Sequence, residues 1–598
     1  MRNAKIVCTL GPASGSRETI RELANAGMSV ARLNASHGSR EDRREMIERV
    51  RSVDRELGRP VAVMLDLQGP EIRTAPLEEP IELETGSVIR FAEGDTATPE
   101  EVGLSIPLSG VVPDDKVLLD DGRIETIVSE VDGEEVLARV VSGGELGGRK
   151  GVNVPGVDLE LDVVTEKDRA DLELAADPGV DFVAASFVRD REDVLEVNEA
   201  MEEVGADVPI VAKIERAGAV DNLEEIVDAS YGVMVARGDL GVECPMEDVP
   251  IIQKRIIRTA RNAGVPVITA TEMLDSMIAE RRPTRAEASD VANAVLDGTD
   301  AVMLSGETAV GAHPVRVVEA MDRIVREAED SDEYAELREQ RIPAAGESRT
   351  GAIARSARYL ARDLGASAVV AASESGYTAL KTAKFRPGVP VVAATPNDDV
   401  RRQLALSGGI IPMSRSFVDG GADRVVETSV ESALDAGVAA SGDTVVVLSG
   451  MMTELEGAQT TNMLKVHVAA ETVGTGRSVV TGRVTGPVAR APDGDLTDVA
   501  ADSILVLDDD FDAEFSGDAS RLAGIVDARE GMTGYPAMVA RELEIPMISG
   551  APVADWIAAG DVVTLDAERG VVYAGDIDRG ENRGDADRRR RQRRREDA

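Results

Sequence analysis

"IVAKIE", residues 210–215, sets an ammonium and a carboxylate into an otherwise apolar run. Val211 and Ile214 suit a buried β-strand, and a strand turns alternate side chains to the same face, so Lys213 and Glu215 point the same way. Two inward charges make either an internal salt bridge, with its cost of desolvation, or part of a site. Composition favours the site. Lys occurs only nine times in 598 residues, so one on an apolar strand is hard to dismiss as surface decoration.

Working outward, similar β-rich segments recur at 5–10, 30–36, 61–68, 181–188, 210–215, 232–238, 265–273 and 301–307. Helix-patterned stretches such as "SRETIRELANAG" (16–27) and "EDVLEVNEAMEEVG" (192–205) separate most of them. Strand and helix alternating eight times predict a (β/α)8 barrel. Polar residues gather where these strands end: Asn34, Ser36, Asp66, Ser186, Lys213, Glu215, Thr271, Ser305 and Glu307, with Asp239 just after the sixth. Such a barrel carries its catalytic groups on that face.

The expected barrel covers residues 1–72 and 156–340. The gap between its third and fourth strands holds turn signals "DDG" (120–122) and "VDGEE" (131–135) flanking alternating segments, which predict an inserted small β-barrel lid domain over 73–155. A polar linker is expected near 330–349, then an α/β domain over 350–472. A further domain of Gly turns and short β-segments spans 475–578. The end, 579–598, is low-complexity, Arg-rich and expected to be disordered.

Acidic residues number 110 against 66 basic ones, a formal charge of −44. Such a surface repels nucleic acid and anionic membranes and is most soluble where salt screens its self-repulsion, so a halophilic, archaeal source is expected. The Arg-rich tail at 588–595 could bind nucleic acid or pair with an acidic surface, self-association being as plausible as RNA, although a solvated tail is the plainer reading. Cys8 and Cys244 are too few for a disulfide framework and fit two small buried groups in a reducing cytosol. No apolar run reaches membrane-spanning length and the N-terminus lacks a secretory core, so a cytoplasmic location is expected.

Glu215 and Asp239 on neighbouring strand ends could hold one hard divalent cation, Mg2+ or Mn2+, since the pattern brings no His or Cys to them. Lys213 beside that cation suits a phosphoryl group, and Arg32 and Arg73 add forked donors.

The motifs "ARLNASHG" (31–38), "LDLQGPEIRT" (65–74), "KGVNVPG" (150–156), "DFVAASFVR" (181–189), "VAKIE" (211–215), "ARGDLGVE" (236–243), "TATEMLDSM" (269–277) and "RPTRAEASDVANAVLDGTDAVMLSGETA" (282–309) resemble, in order, those of the pyruvate kinase family. That resemblance implies transfer of the phosphoryl group of phosphoenolpyruvate to ADP, a barrel with lid and C-terminal domain, and a homotetramer. It implies that Glu215 and Asp239 are the Mg2+ ligands and that Lys213 steadies the transferring phosphoryl and the enolate. Thr271 matches the position implicated in enolate protonation. Ser186, Arg32 and the Gly238 N–H resemble substrate contacts, and Arg73, Asn34, His37 and Lys150 resemble nucleotide-side contacts. Asn34, Ser36, Asp66 and the Leu67 carbonyl match a monovalent-cation site. Glu71 matches K+-requiring members while Leu67-Gln68 resembles members that use Lys there; with that Lys absent, K+ dependence is expected. Glu272 and Gly218 also depart from the usual residues.

Glu374 in "SESGYT" (373–378) stands where the family often has Lys and would repel a bisphosphate, and the loop 451–462 lacks Arg and Trp. Activation by fructose 1,6-bisphosphate is therefore not expected. Residues 475–578 resemble the phosphohistidine domain of phosphoenolpyruvate-utilising enzymes, with Thr533-Gly534-Tyr535 where the family has Thr-Ser-His. A phenol is a poor substitute for imidazole as phosphoryl carrier, so a structural or regulatory module is expected. The competing readings are a Mg2+-dependent barrel lyase or aldolase acting on pyruvate enolate, and an inactive metabolite sensor.

Overall fold

The computed structural model describes residues 2–577 apart from 158, 160, 177–178, 417–420 and 451–460. The Arg-rich tail, and all but the last two residues of the loop at 451–462, fall outside the described residues.

Eight parallel strands close into a barrel: β1 (Lys5–Thr9), β2 (Val30–Asn34), β3 (Ala62–Asp66), β4 (Phe182–Ala185), β5 (Ile210–Ile214), β6 (Gly232–Ala236), β7 (Val267–Ala270) and β8 (Ala301–Leu304). Each pairs with its neighbour in the chain, and β1 closes on β8 with Cys8 opposite Leu304. The helices between them start and stop where local chemistry dictates. Helix Arg40–Leu57 opens on a capping box between Ser39 and Asp42 and ends at Gly58 in the left-handed conformation; helix Arg285–Asp297 repeats this with Thr284, Glu287 and Gly298.

The two faces of these strands bury different layers. Ala31, Leu33, Val63, Leu65, Val183, Ala212, Ile214, Val235 and Leu304 pack outward into the large core beneath the helices. The alternate positions, Val7, Val30, Met64, Phe182, Val211, Met234, Ile268 and Met303, fill the barrel interior. Because the side-chain period is two, the inward rows continue past this apolar plug as Thr9, Arg32, Asp66, Ser186 and Lys213. The polar mouth is the top layer of the same register that builds the core.

Between β3 and β4 an inserted seven-stranded sheet runs Ile72–Arg73, Gly151–Asn153, Lys116–Leu119, Ile124–Asp132, Glu135–Ser142, Val88–Glu93, Glu101–Leu104 in spatial order. A bridge between Thr74 and Leu104 brings its two edges together, around a core containing Phe91, Val102 and Val117. The polar stretch expected as a linker is helical in its first half: Asp332–Gln340 is capped by the Ser331 hydroxyl and buries Tyr334. The single aromatic ring anchors a segment whose composition reads as solvated.

The C-terminal α/β region carries a five-stranded sheet in the order Ile410–Ser414, Val391–Thr395, Ala368–Ala372, Asp443–Ser449, Met463–Ala469, the last strand antiparallel. The final region builds an eight-stranded sheet from Thr472–Thr475 to Val571–Ala574, with helix Tyr535–Glu542. Among the described residues no helix is long and apolar enough to cross a membrane.

Candidate active site

Lys213 projects from β5 into the mouth, where its Nζ lies 2.7 Å from Glu215 Oε1 and 3.3 Å from Asp66 Oδ1 and donates to Ser186 Oγ at 2.8 Å. Burial by itself would lower this ammonium, but Asp66, Glu215 and Asp239 raise it above the ordinary lysine value. The charge is fixed at any physiological pH. Asp66 at the end of β3 is fully buried and accepts from Arg32 Nε at 2.5 Å; although burial opposes it, Arg32 and Lys213 hold the carboxyl below the usual range. Arg32 also donates to Thr9 Oγ1 at 2.9 Å. Ser186 passes the chain on, donating to the Leu67 carbonyl at 2.7 Å. Five strand ends thus share one buried network.

Glu215 is 1% exposed, and its second oxygen accepts the Phe187 N–H at 2.7 Å. Burial pushes its carboxyl up to about 7, Lys213 works against that, and Asp239 adds to it. Burial likewise raises Asp239, with Asp121 and Glu71 contributing like charge. Two carboxylates that each resist ionisation would be neutralised together by a cation, and an all-oxygen pair without His or Cys would suit a hard divalent ion. No group of three or more His, Cys, Asp or Glu suited to a metal occurs among the described residues, so such an ion would need water or substrate oxygens to complete its shell.

Asp239 follows strand six, as expected; the strand stops at Ala236, and Asp239 lies in the first turn of the helix Arg237–Glu243 that succeeds it. Gly238 there donates its N–H to Thr271 Oγ1 at 2.9 Å, and a Cβ at this position would sit 3.4 Å from the Thr271 methyl. Thr271 and Glu272 both adopt positive φ, 63° and 52°. That conformation is costly for a β-branched residue and persists only when its surroundings impose it. Arg237 imposes it here. Its guanidinium donates to the carbonyls of Ala270 at 3.0 Å and Thr271 at 2.6 Å, and is itself held by Asp290 at 2.7 Å.

The remaining expected residues stand apart from this network. Asn34 Oδ1 accepts the Ser36 N–H at 3.0 Å, and His37 is exposed at the rim. Arg73 is bound to Glu71 and the Arg149 carbonyl, and Lys150 to Asp120 at 2.8 Å, both at the inserted sheet. A cavity of about 1110 Å3 opens beside the network, lined in part by Thr9, Pro12, Arg32, Asn34, His37 and Met46.

Three residues were missed by sequence reasoning. Arg237 lies in "ARGDLGVE", and nothing in that motif by itself gives it a role. Lys167 donates to the Ala35 carbonyl at 2.5 Å and to Gln68 Oε1 at 2.6 Å, and Asp168 accepts the Gln68 and Gly69 N–H groups. Together these two hold the loops after β2 and β3. The scarcity of Lys that singled out Lys213 would have flagged Lys167 as well.

Comparison with known proteins matches residues 1–318 to the family described as pyruvate kinase, barrel domain, and 351–467 to pyruvate kinase, alpha/beta domain. Residues 499–570 match PEP-utilising enzyme, mobile domain. A pyruvate kinase of Bacillus licheniformis is 41% identical over 96% of this chain and 99% of its own. One from Staphylococcus aureus strain MRSA252 is 40% identical over the same shares. Both relatives are bacterial, and the archaeal source expected from composition finds no support in them.

Proposed function

The chain belongs to the pyruvate kinase family and is a phosphotransferase, and from that premise we infer that it moves the phosphoryl group of phosphoenolpyruvate to a terminal oxygen of ADP. The bond from phosphorus to the enol oxygen breaks as the bond to ADP forms, and the enolate left behind takes one proton at its methylene carbon to give pyruvate. The single observation that carries this reading is the buried Lys213 ammonium fixed by Asp66, Glu215 and Ser186 at the strand ends.

Lys213 and Arg32 supply positive charge from two directions to an anionic ester and to the enolate oxygen. Their carboxylate partners pre-orient them, so little reorganisation is needed when substrate arrives. Glu215 and Asp239 would hold Mg2+ or Mn2+, which supplies Lewis-acid neutralisation of phosphoryl and enolate oxygens. Thr271 sets a hydroxyl at the turn after β7, oriented by the Gly238 N–H, where it positions the proton for the enolate carbon. Asn34, Ser36, Asp66 and the Leu67 carbonyl form the proposed K+ site. The large cavity beside Arg32 and His37 has room for the nucleotide, with Arg73 and Lys150 approaching from the inserted domain.

We assign the barrel to 1–72 and 156–340, the lid to 73–155, the α/β domain to 350–472 and the extension to 475–578. In the extension, Tyr535 accepts the Phe515 N–H at 3.3 Å and packs against that ring, which supports a structural role. A homotetramer in the cytoplasm and solubility favoured by high salt complete the proposal. An assay with phosphoenolpyruvate, ADP, Mg2+ and KCl, coupled to pyruvate reduction, tests it; absence of pyruvate and ATP under those conditions rejects it.

A further inference from the structure

On a chain of net charge −44, one cavity is walled by guanidinium groups. Arg261, Arg338 and Arg386 line it together with Tyr334, Leu296 and Gly298. Arg261 ends helix Val249–Ala263 ahead of β7, and Gly298 follows helix Arg285–Asp297 ahead of β8. The cavity therefore lies by the amino ends of these strands, opposite the mouth. Its volume of about 10 Å3 accommodates one water-sized group, and it is partly open to solvent.

The charges within it are unevenly matched. Arg386 is satisfied, with Asp300 and the Gly298 carbonyl each at 2.9 Å. Arg261 is 9% exposed, its Nε has no acceptor, and no carboxylate lies within ion-pair distance of it among the described residues. Burial pushes its guanidinium down to about 10; Arg386 and Arg341 add to that, while Tyr334 and Asp300 only partly offset it. Gly298, at φ 100°, leaves bare backbone where a Cβ would stand 3.3 Å from Arg261 Nη1, so space is kept at the guanidinium itself. A buried charge without a partner is strongly unfavourable, and an Arg does not relieve it by losing its proton near neutrality.

We propose that this cavity is a binding site for a small anionic group, held by the Arg261 guanidinium with Arg338 alongside. The volume admits a halide, or one oxygen of a phosphate entering from solvent, so the occupant is either a free inorganic anion or the phosphate of a phosphorylated metabolite. Forked guanidinium donors suit both. The site owes nothing to the groups assigned to catalysis.

Crystals of the full chain equilibrated with sodium bromide should give an anomalous peak beside Arg261. Parallel crystals with inorganic phosphate, and with glycerol 3-phosphate, should show which oxyanion enters. In solution, Tm in potassium chloride, phosphate or glycerol 3-phosphate should exceed that in potassium gluconate at matched ionic strength by about 2–4 °C. Arg261→Met should abolish the increment and Arg261→Lys keep part of it. An increment with chloride or inorganic phosphate assigns a free ion, and one with glycerol 3-phosphate alone assigns a metabolite. Should Arg261→Met not fold, the bromide and oxyanion maps of the unaltered protein decide. Ordered water alone at Arg261 in all three crystals, or equal increments in the Met variant and the unaltered protein, overturns the proposal.

Discussion

Lys213 Nζ sits 2.7 Å from Glu215 Oε1, two residues on and just past the end of β5, and 3.3 Å from Asp66 Oδ1 at the end of β3. The ammonium is held by carboxylates, one of which, Glu215, is a proposed ligand of the divalent cation. On the proposed mechanism, removing Lys213 strips positive charge from the point where negative charge develops on the phosphoryl group and the enolate. Lys213→Met is expected to lower kcat by about 10^3-fold or more, with circular dichroism unchanged. Turnover near that of the unaltered enzyme would remove Lys213 from the chemistry.

Arg237 grips the backbone carbonyls of Ala270 and Thr271. Arg237→Met frees two carbonyls and relaxes a left-handed turn, which displaces the Thr271 hydroxyl from the Gly238 N–H. The expected result is a fall in kcat of about 10–100-fold with the KM for phosphoenolpyruvate little changed. Exchange of pyruvate methyl protons with solvent should fall in parallel, and Arg237→Lys should recover part of both. A rise in KM alone would point to a merely structural role.

Lys5 gives a pH signature away from the mouth. Burial, then Arg2, lowers its ammonium to about 8 against the partial pull of Glu329 and Asp300, while its Nζ donates to the Ile410 carbonyl at 2.6 Å. Between about 8 and the ordinary value of 10.5 the unfolded chain binds the extra proton, so this group's contribution to stability rises with pH across that window. Differential calorimetry should therefore show the Tm of Lys5→Met, relative to the unaltered protein, declining from pH 7 to pH 10. A constant difference would contradict the assignment.

Potassium should matter despite Lys167. That ammonium is already engaged by Ala35 and Gln68, and it braces the loops of the proposed K+ site without entering the network around Asp66. Replacing K+ by tetramethylammonium at constant ionic strength is expected to cut kcat by about tenfold or more. Equal rates in the two buffers would refute K+ dependence.

Fructose 1,6-bisphosphate should leave the kinetics unchanged. Glu374 is exposed in the loop before helix Tyr377–Ala383, and like charge there repels a bisphosphate. Titration of initial rates at subsaturating phosphoenolpyruvate checks this; sigmoidal kinetics becoming hyperbolic with the sugar bisphosphate would sink it.

The barrel, its inserted domain and the sheets that follow were legible because each is written in short-range signals. Strand and helix periods alternate, caps such as Ser39 and Thr284 mark where helices begin, and the period of two in "IVAKIE" places Lys213 and Glu215 on one face. The same period carries Val30 to Arg32 and Met64 to Asp66, so much of the mouth follows from register alone. Composition misled where one side chain outweighed the rest, as Tyr334 did in the expected linker.

What the linear order withheld are the partners that strands and helices bring together from far along the chain. Nothing near Arg237 announces that it will grip the carbonyls of Ala270 and Thr271, nothing near Lys167 that it will reach Ala35, and nothing near Arg261 that its Nε will be buried without an acceptor among the described residues. Sequence determined which residues could be charged, strained or inward-facing, because backbone periodicity is local. Tertiary structure alone decided which charges meet and which stay unpaired, because Coulombic and hydrogen-bond energies depend on separation in space.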